Sequence, residues 1–283
     1  MRLADDAGLG LVRDAGHALE AAVMLQPGLP AGRLGALSVA GASGFVCLWS
    51  AMALTGWVPR AFFPAPWDII GRLVELTREP FAGHTLPVHL LSSLQRFAMG
   101  FVLALLTGIA LGLLMAWFRW VDEIIGPVFE AVRFVAPIAW VPFAALWFGT
   151  GIGGPVLIIF MGALPPVLIN TYRGARFVDR KYIEAARMLG AGPWRGITQV
   201  MLPAAVPAIV AGLRISAGLA WQSLVGAELI VASSGVGYLM VKGQAGLATA
   251  TVMSAMLAIG LVGLVIDVLL RGLQQSIQTR RGR

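Results

Sequence analysis

The sequence predicts an all-α polytopic membrane protein with six transmembrane helices, and three observations predict it. Only 12% of the 283 residues are charged and 58% are hydrophobic, whereas a soluble domain carries about 25% charged residues; the mean hydropathy is +0.82. Residues 34–59, 97–118, 134–172, 196–213 and 243–266 form windows without Asp, Glu, Lys or Arg, each near or above the roughly 18 residues that suffice for a helical span. The basic residues gather in alternate loops, the pattern that orients a polytopic protein.

The expected spans are 34–58, 89–118, 126–148, 155–172, 204–230 and 251–270. The run at 134–172 is too long for one helix, and Gly149-Thr-Gly-Ile-Gly-Gly-Pro155 divides it, because glycine and proline at that density favour a turn. Arg2, Arg13, Arg33, Arg119, Arg173, Arg176, Arg180, Lys181, Arg187, Arg195, Arg271, Arg280, Arg281 and Arg283 fall on one side of such a topology; Arg60, Arg72, Arg78 and Lys242 fall on the other. The positive-inside rule makes the first group cytoplasmic, both termini included.

Residues 1–33 mix charge signs and contain Pro27 and Pro30, which reads as a short helix and linker forming a cytoplasmic leader. Ala51-Met52-Ala53 mimics a signal-peptide cleavage site, but the apolar run continues past it behind a long charged leader, so an uncleaved first span is expected within 34–62. An extracytoplasmic segment follows at 63–88; Trp67, Ile70 and Val74 have helical apolar spacing there, as an interfacial helix would. The core domain is 89–272, and 273–283 is a basic cytoplasmic tail. Gly108 and Gly112 stand four residues apart in the second span, a spacing that lets helices approach closely.

The composition and motifs exclude several chemistries. There is one cysteine, Cys47, so no intramolecular disulfide or paired-cysteine site can form. The three histidines are scattered, and no metal or other cofactor is expected. Neither lysine follows a glycine, so no GxxxxGK[ST] phosphate loop exists. No nucleophile or zinc motif is present, and catalysis on a covalent bond is not expected. Membrane orientation accounts for the net charge of +7 without a nucleic-acid partner.

The polar, basic segment between the fourth and fifth spans carries the most information. Asp179 can cap a helix over 180–189, Gly190 stands where a left-handed terminal residue is wanted, and Gly192-Pro193 can begin a second short helix that Pro203 ends. Two short helices at a glycine elbow are the expected product. Ala185 and Ala186 offer a low surface to another backbone, and Glu184 a fixed charge. The skeleton Glu184-Ala185-Ala186, Gly190, Val200, Leu202-Pro203 closely resembles the EAA signature of permease subunits of bacterial ATP-binding-cassette importers. The resemblance extends over about 63–272 and is nearest to sulfonate, taurine and nitrate-type permeases. It includes Phe63-Pro64-Ala65-Pro66, Ser93-Leu94-x-Arg96, Arg133-x3-Pro137-x-Ala139-Trp140-x-Pro142, Trp147-Phe148-Gly149, Gly212-Leu213-Arg214, Ala227-Glu228 and Ser233-Ser234-Gly235-x-Gly237. Val200 departs from the commoner isoleucine and Phe63 from leucine.

That resemblance implies a type I importer permease fold in a bacterial inner membrane, with coupling helices within 173–203. It implies a homodimer, two copies of a separate ABC ATPase that hydrolyses the ATP, and a periplasmic substrate-binding protein that delivers the solute. Glu184, Ala185, Ala186, Gly190, Leu202 and Pro203 are then the ATPase-coupling residues. The implied solute is a small anion such as an alkanesulfonate or taurine, with nitrate, bicarbonate and pyrimidine precursors as alternatives. Arg214 falls deep in the fifth span, where an arginine costs about 2.5–3.5 kcal/mol; either it lines a solute pathway with Trp221 and Glu228 further toward the outer mouth, or it pairs with a carbonyl or carboxylate and fixes packing. A proton-driven secondary transporter is the rival reading, and it would need intramembrane carboxylates; Glu130, Glu228 and Asp267 are expected near span ends.

Overall fold

Proline and glycine punctuate the apolar runs, and the helices begin and end at them in the computed structural model, which describes residues 31–56, 59 and 62–281. The expected leader falls almost wholly outside these residues, as does Arg60. Two units separate, Met1–Trp57 and Val58–Arg283. The described part of the first is one helix, α1, Ala31–Thr55. Phe45, Leu48 and Leu54 each expose about three fifths of their surface, as lipid-facing residues of a span can.

In the second unit α2 is Pro66–Arg78, begun by proline at its first turn and by Asp68, whose carboxylate accepts the Ala65 N–H at 3.2 Å. The stripe named from the sequence, Trp67, Ile70 and Val74, is its exposed stripe, whereas Ile69, Leu73 and Leu76 turn inward. Next come α3, Leu86–Trp117, and α4, Arg119–Val132. A 3₁₀ turn at Pro137–Trp140 leads into α5, Val141–Phe148. Gly149, at φ 61°, then reverses the chain into α6, Gly153–Arg176, so the expected break before residue 155 is present.

The loop helix α7 is Arg180–Met188. A single turn, Pro193–Arg195, then runs through a π-helical turn, Gly196–Met201, into α8, Leu202–Val231. Helices α9, Val236–Ala245, and α10, Thr249–Arg281, complete the unit. No strand occurs among the described residues beyond an isolated bridge between Phe81 and His84. The last helix continues past the expected end at 270, because nothing between Gly272 and Arg281 breaks it.

The third expected span is corrected. Residues 126–148 do not form one helix: α4 and the segment after it meet at 91°. Pro137 is the cause, since a residue before proline is driven from helical to extended backbone, and Ala136 has φ −55° and ψ 139°. Among the described residues five helices are long and apolar enough to cross a membrane, and six spans result when the bent pair counts as one.

Helix α6 packs along both α3 and α8. The seams are built from small residues, since without water to expel, helices in lipid associate by close packing. Ala104, Ala163, Ala217 and Ala220 are at most 1% exposed, and Phe97, Ile159, Trp221 and Leu224 fill the space between them. The Gly108 and Gly112 pair serves this internal seam. A β-carbon at Gly108 would stand 2.9 Å from Val167 Cγ1, and one at Gly112 would stand 2.8 Å from Thr171 Cβ. Both gaps are too short for van der Waals contact, so Gly112→Leu is expected to cost about 1–3 kcal/mol through overpacking. An unfolding titration in mixed micelles measures this; a wild-type midpoint would refute the seam.

Candidate functional site

The segment between α6 and α8 forms as its local chemistry dictates. Asp179 caps α7, its carboxylate accepting the Lys181 N–H at 3.2 Å while Lys181 Nζ lies 2.7 Å from its other oxygen. Those bonds hold the Asp179 carboxyl below its usual range. At the other end the Gly190 N–H donates to Arg187 O and the Ala191 N–H to Ala186 O, both at 2.9 Å. This is a Schellman motif, which requires a left-handed residue after the helix, and Gly190 supplies it at φ 79°.

Pro203 does not end a separate second helix, a correction to the expected pair of short helices. The chain is helical from Pro193 to Val231. A proline inside a helix removes one N–H and crowds the carbonyl four residues back. The π-helical turn immediately before Pro203 widens the helix there, as single-turn π segments do.

Glu184, Ala185, Gly190 and Pro203 are exposed, and Ala186 and Leu202 are half-buried. Met188 and Leu189 are 83% and 89% exposed, with Phe177 and Trp194 also outward; such a concentration of exposed apolar side chains marks an interaction surface. The opposite side of α7 is anchored. Ile183 packs on a cluster that includes Leu113, Ala175, Ile197 and Met201. Trp117, at the end of α3, occupies the space a β-carbon on Gly196 would need, and the Arg187 guanidinium lies 5.6 Å from its ring. The loop thus rests on both α3 and α8.

A second polar construction lies at the far end of the same helices. Arg96 Nη1 donates to Glu228 Oε1 at 2.8 Å and to Ser234 O at 2.7 Å, and Nη2 donates to Ser234 Oγ at 2.6 Å. Ser93 Oγ lies 2.8 Å from both Glu228 oxygens and accepts the Val236 N–H at 3.0 Å. Glu228 Oε2 also accepts the Gly237 N–H, and His89 Nδ1 accepts the Gly235 N–H. With its Nδ1 accepting, the neutral His89 ring carries its proton on Nε2, 3.1 Å from Phe81 O. Gly235 adopts φ 108°, and a β-carbon there would collide with the Glu228 carboxylate. Arg96 is 4% and Glu228 1% exposed.

The three residues of the expected pathway sit in two different surroundings. Glu228 is locked in this cluster. Trp221 is 7% exposed, edge-on to Phe97, with its indole N–H donating to Ile259 O at 3.2 Å. Trp221 also lines, with Arg214 and Asp267, a cavity of about 170 Å³. Arg214 Nε donates to Asp267 Oδ1 at 2.8 Å, tying α8 to α10, and Arg271 holds the other oxygen at 2.7 Å. Arg96 and Ser93 had entered only as motif members. Their partners lie 132 to 143 residues away, beyond any local pattern, although an arginine eleven residues into a span signals that a partner must exist. Among the described residues no group of His, Cys, Asp and Glu could hold a metal ion.

The buried pair yields a cycle test. Removing one partner strands a charge, so Arg96→Met or Glu228→Leu alone should each cost about 3–5 kcal/mol of folding stability, and the double variant less than either. Unfolding free energies of the four proteins measure this; additive losses would refute the coupling.

The chain has relatives among known proteins. The family of binding-protein-dependent transport system inner membrane components matches residues 108–283. The taurine transport system permease protein TauC of Escherichia coli is 32% identical over 254 residues, 89% of this chain and 92% of that protein. The bicarbonate transport system permease protein CmpB of Synechococcus elongatus is 32% identical over 249 residues, 85% of this chain and 88% of its own. A solved chain from an inward-facing MetNI methionine ABC transporter shares the fold, with a TM-score of 0.54 at 17% identity, covering 76% of this chain and 98% of that one.

Proposed function

The chain belongs to the family of binding-protein-dependent transport system inner membrane components, and from that premise we propose that it forms the translocation pathway for a small anion in an ATP-driven importer. An alkanesulfonate or taurine is the favoured solute, and nitrate, bicarbonate or a pyrimidine precursor belongs to the same chemical range. Two permease copies pair in the bacterial inner membrane, with both termini inside. Two copies of a separate ATPase dock on the α7 loops, and a periplasmic binding protein delivers the solute on the other side.

One observation carries this reading: α7 is a capped helix that turns Tyr182 and Met188 outward while Ile183 anchors it between α3 and α8. Closure of the ATPase pair displaces α7. The Gly190 elbow fixes the angle at which the chain leaves α7, and the continuous helix after Pro193 carries the displacement into the membrane. The spans then move between inward- and outward-open states, the ATPase and the binding protein each favouring one state by the contacts they make only there.

The rival proton-driven reading has less support. Glu130, Glu228 and Asp267 each pair with an arginine, Arg133, Arg96 and Arg214 respectively, whereas a proton carrier must lose and regain its proton without losing its place. Solute uptake into sealed vesicles that keep a proton gradient should stop when ATP is withdrawn. Continued uptake at the full rate would favour the rival.

Two further outcomes are expected. Gly190→Val puts a β-branched residue at φ 79°, a strain of about 1–3 kcal/mol; the variant should reach the membrane but lose most uptake and most solute-stimulated ATPase activity, and full activity would sink the elbow argument. A reporter active only outside the cytoplasm should be silent when fused after Arg283 and active near Gly243, and the reverse would overturn the orientation.

A further inference from the structure

Arg96, Arg133 and Arg214 stand away from the ends of their spans among the described residues. Arg96 is enclosed by Glu228, Ser93 and Ser234. Arg214 lines a cavity of about 170 Å³ that Asp267 lines too, so its charge is answered there. Arg133 differs. It ends α4 at the break in the third span and lines a cavity of about 350 Å³, within the range of roughly 300–1,000 Å³ typical of small-molecule sites. No carboxylate lines that cavity; Gln222, Ser223, Ile138 and Leu219 are among its walls.

The depth of the break follows from its contacts. Pro137 Cγ lies 3.4 Å from where a β-carbon on Gly162 would be, and Ile138 Cδ1 lies 3.4 Å from the same point on Gly226. Gly162 is nine residues from the start of α6 and fourteen from its end, about 14 Å and 21 Å along the axis. The break therefore lies well inside the apolar layer. Irregular backbone at that depth is tolerated only where protein buries it or where it lines a wet cavity, and discontinuous spans mark solute sites in transporters.

The donors remain available. Glu130 engages Arg133 Nε and Nη2 through a single oxygen, both at 2.6 Å, from a side chain that is itself 56% exposed and outside the cavity lining. Nη1 keeps its two N–H groups. Gln222 is exposed and makes no hydrogen bond among the described residues. The Ser223 hydroxyl donates to Leu219 O, so its lone pairs remain free to accept.

We propose that Arg133, with Gln222 and Ser223 facing it, forms the solute site of the membrane domain, and that the site takes a small monoanion with an oxyanion head and at most a short apolar tail. The guanidinium fork matches sulfonate or carboxylate oxygens; Gln222 donates beside it; Ile138, Leu219 and the Pro165-Pro166 step of α6 form the apolar wall. The site rests on the importer reading and gives it an address.

The test uses the full-length chain with Cys47→Ala, in lipid nanodiscs. Equilibrium binding of radiolabelled methanesulfonate, ethanesulfonate, bicarbonate and nitrate is measured for this protein, Arg133→Gln, Arg133→Lys and Gln222→Leu. Arg133→Gln should weaken binding of the preferred anion by about tenfold or more, the equivalent of losing a charge-assisted hydrogen bond. Arg133→Lys should recover part of the loss, and Gln222→Leu should weaken binding severalfold. The thiol introduced by Ser223→Cys should react faster with an anionic than with a cationic methanethiosulfonate, and the bound anion should protect it; this readout decides if Arg133→Gln does not fold. Equal anion binding with and without Arg133, or a thiol in the Ser223→Cys variant that reacts unprotected and without charge preference, overturns the site while leaving the importer reading intact. Failure of the parent protein to bind any of the four anions overturns the anionic solute class and the site with it.

Discussion

The ion pair between Arg96 and Glu228 is the constraint on which the half of the second unit remote from α7 is built. A charge in an apolar layer must be paired or must face water. Here the pair is closed by Ser93, Ser234 and two backbone N–H groups. The cluster joins α3, α8, the loop after α8 and the first turn of α9, so it sets the spacing of two spans and the entry angle of a third element. Gly235 completes it, because only glycine reaches a φ of 108° without a β-carbon striking the carboxylate. Replacing such a pair by apolar residues can leave stability unchanged. Its value is therefore read best in register: a slide of α8 along α3 by one turn would leave a guanidinium and a carboxylate separately buried.

How legible this was in the sequence depended on range. The cap at Asp179, the left-handed Gly190 and the reversal at Gly149 are set by residues within about one turn, and each formed as its neighbours dictated. The apolar windows located the spans, because length and hydropathy need no knowledge of partners. The windows could not show the 91° break, since a broken span is as apolar as a straight one; the extended backbone forced before Pro137 was the available signal. The continuous helix through Pro203 was hidden differently. Proline reads as a stop, and only the π-helical turn before it, a feature with no local sequence signature, lets the helix pass.

The site residues divide along the same line. Glu184, Ala185 and Gly190 are exposed on the loop, as a docking surface needs. For Trp221 and Glu228 depth along a span was legible in the sequence, but not the direction the side chain takes. Trp221 faces Phe97 and Gly263, and Glu228 faces Arg96, all residues remote in sequence. For Arg214 the need for a counter-charge was legible, but not that Asp267 of the last helix supplies it.

One helix links every feature discussed. From the elbow, the chain enters the π-helical turn, which Trp117 touches at Gly196. It then passes Arg214, tied to α10, next the cavity wall at Leu219, Gln222, Ser223 and Gly226, and ends at Glu228 in the buried cluster. Its two ends are held differently. The end at Glu228 is fixed by a set of short polar bonds, while the end near α7 rests on apolar contacts beside a π turn, where the backbone is least regular. A push on α7 therefore meets compliance first and resistance last. The helix is expected to tilt about its Glu228 end, and a tilt about a distant pivot moves the cavity wall through a smaller arc than the loop. In the proposed importer that geometry turns a large displacement at the ATPase into a small, directed one at Gln222 and Ser223, beside the break where Arg133 stands.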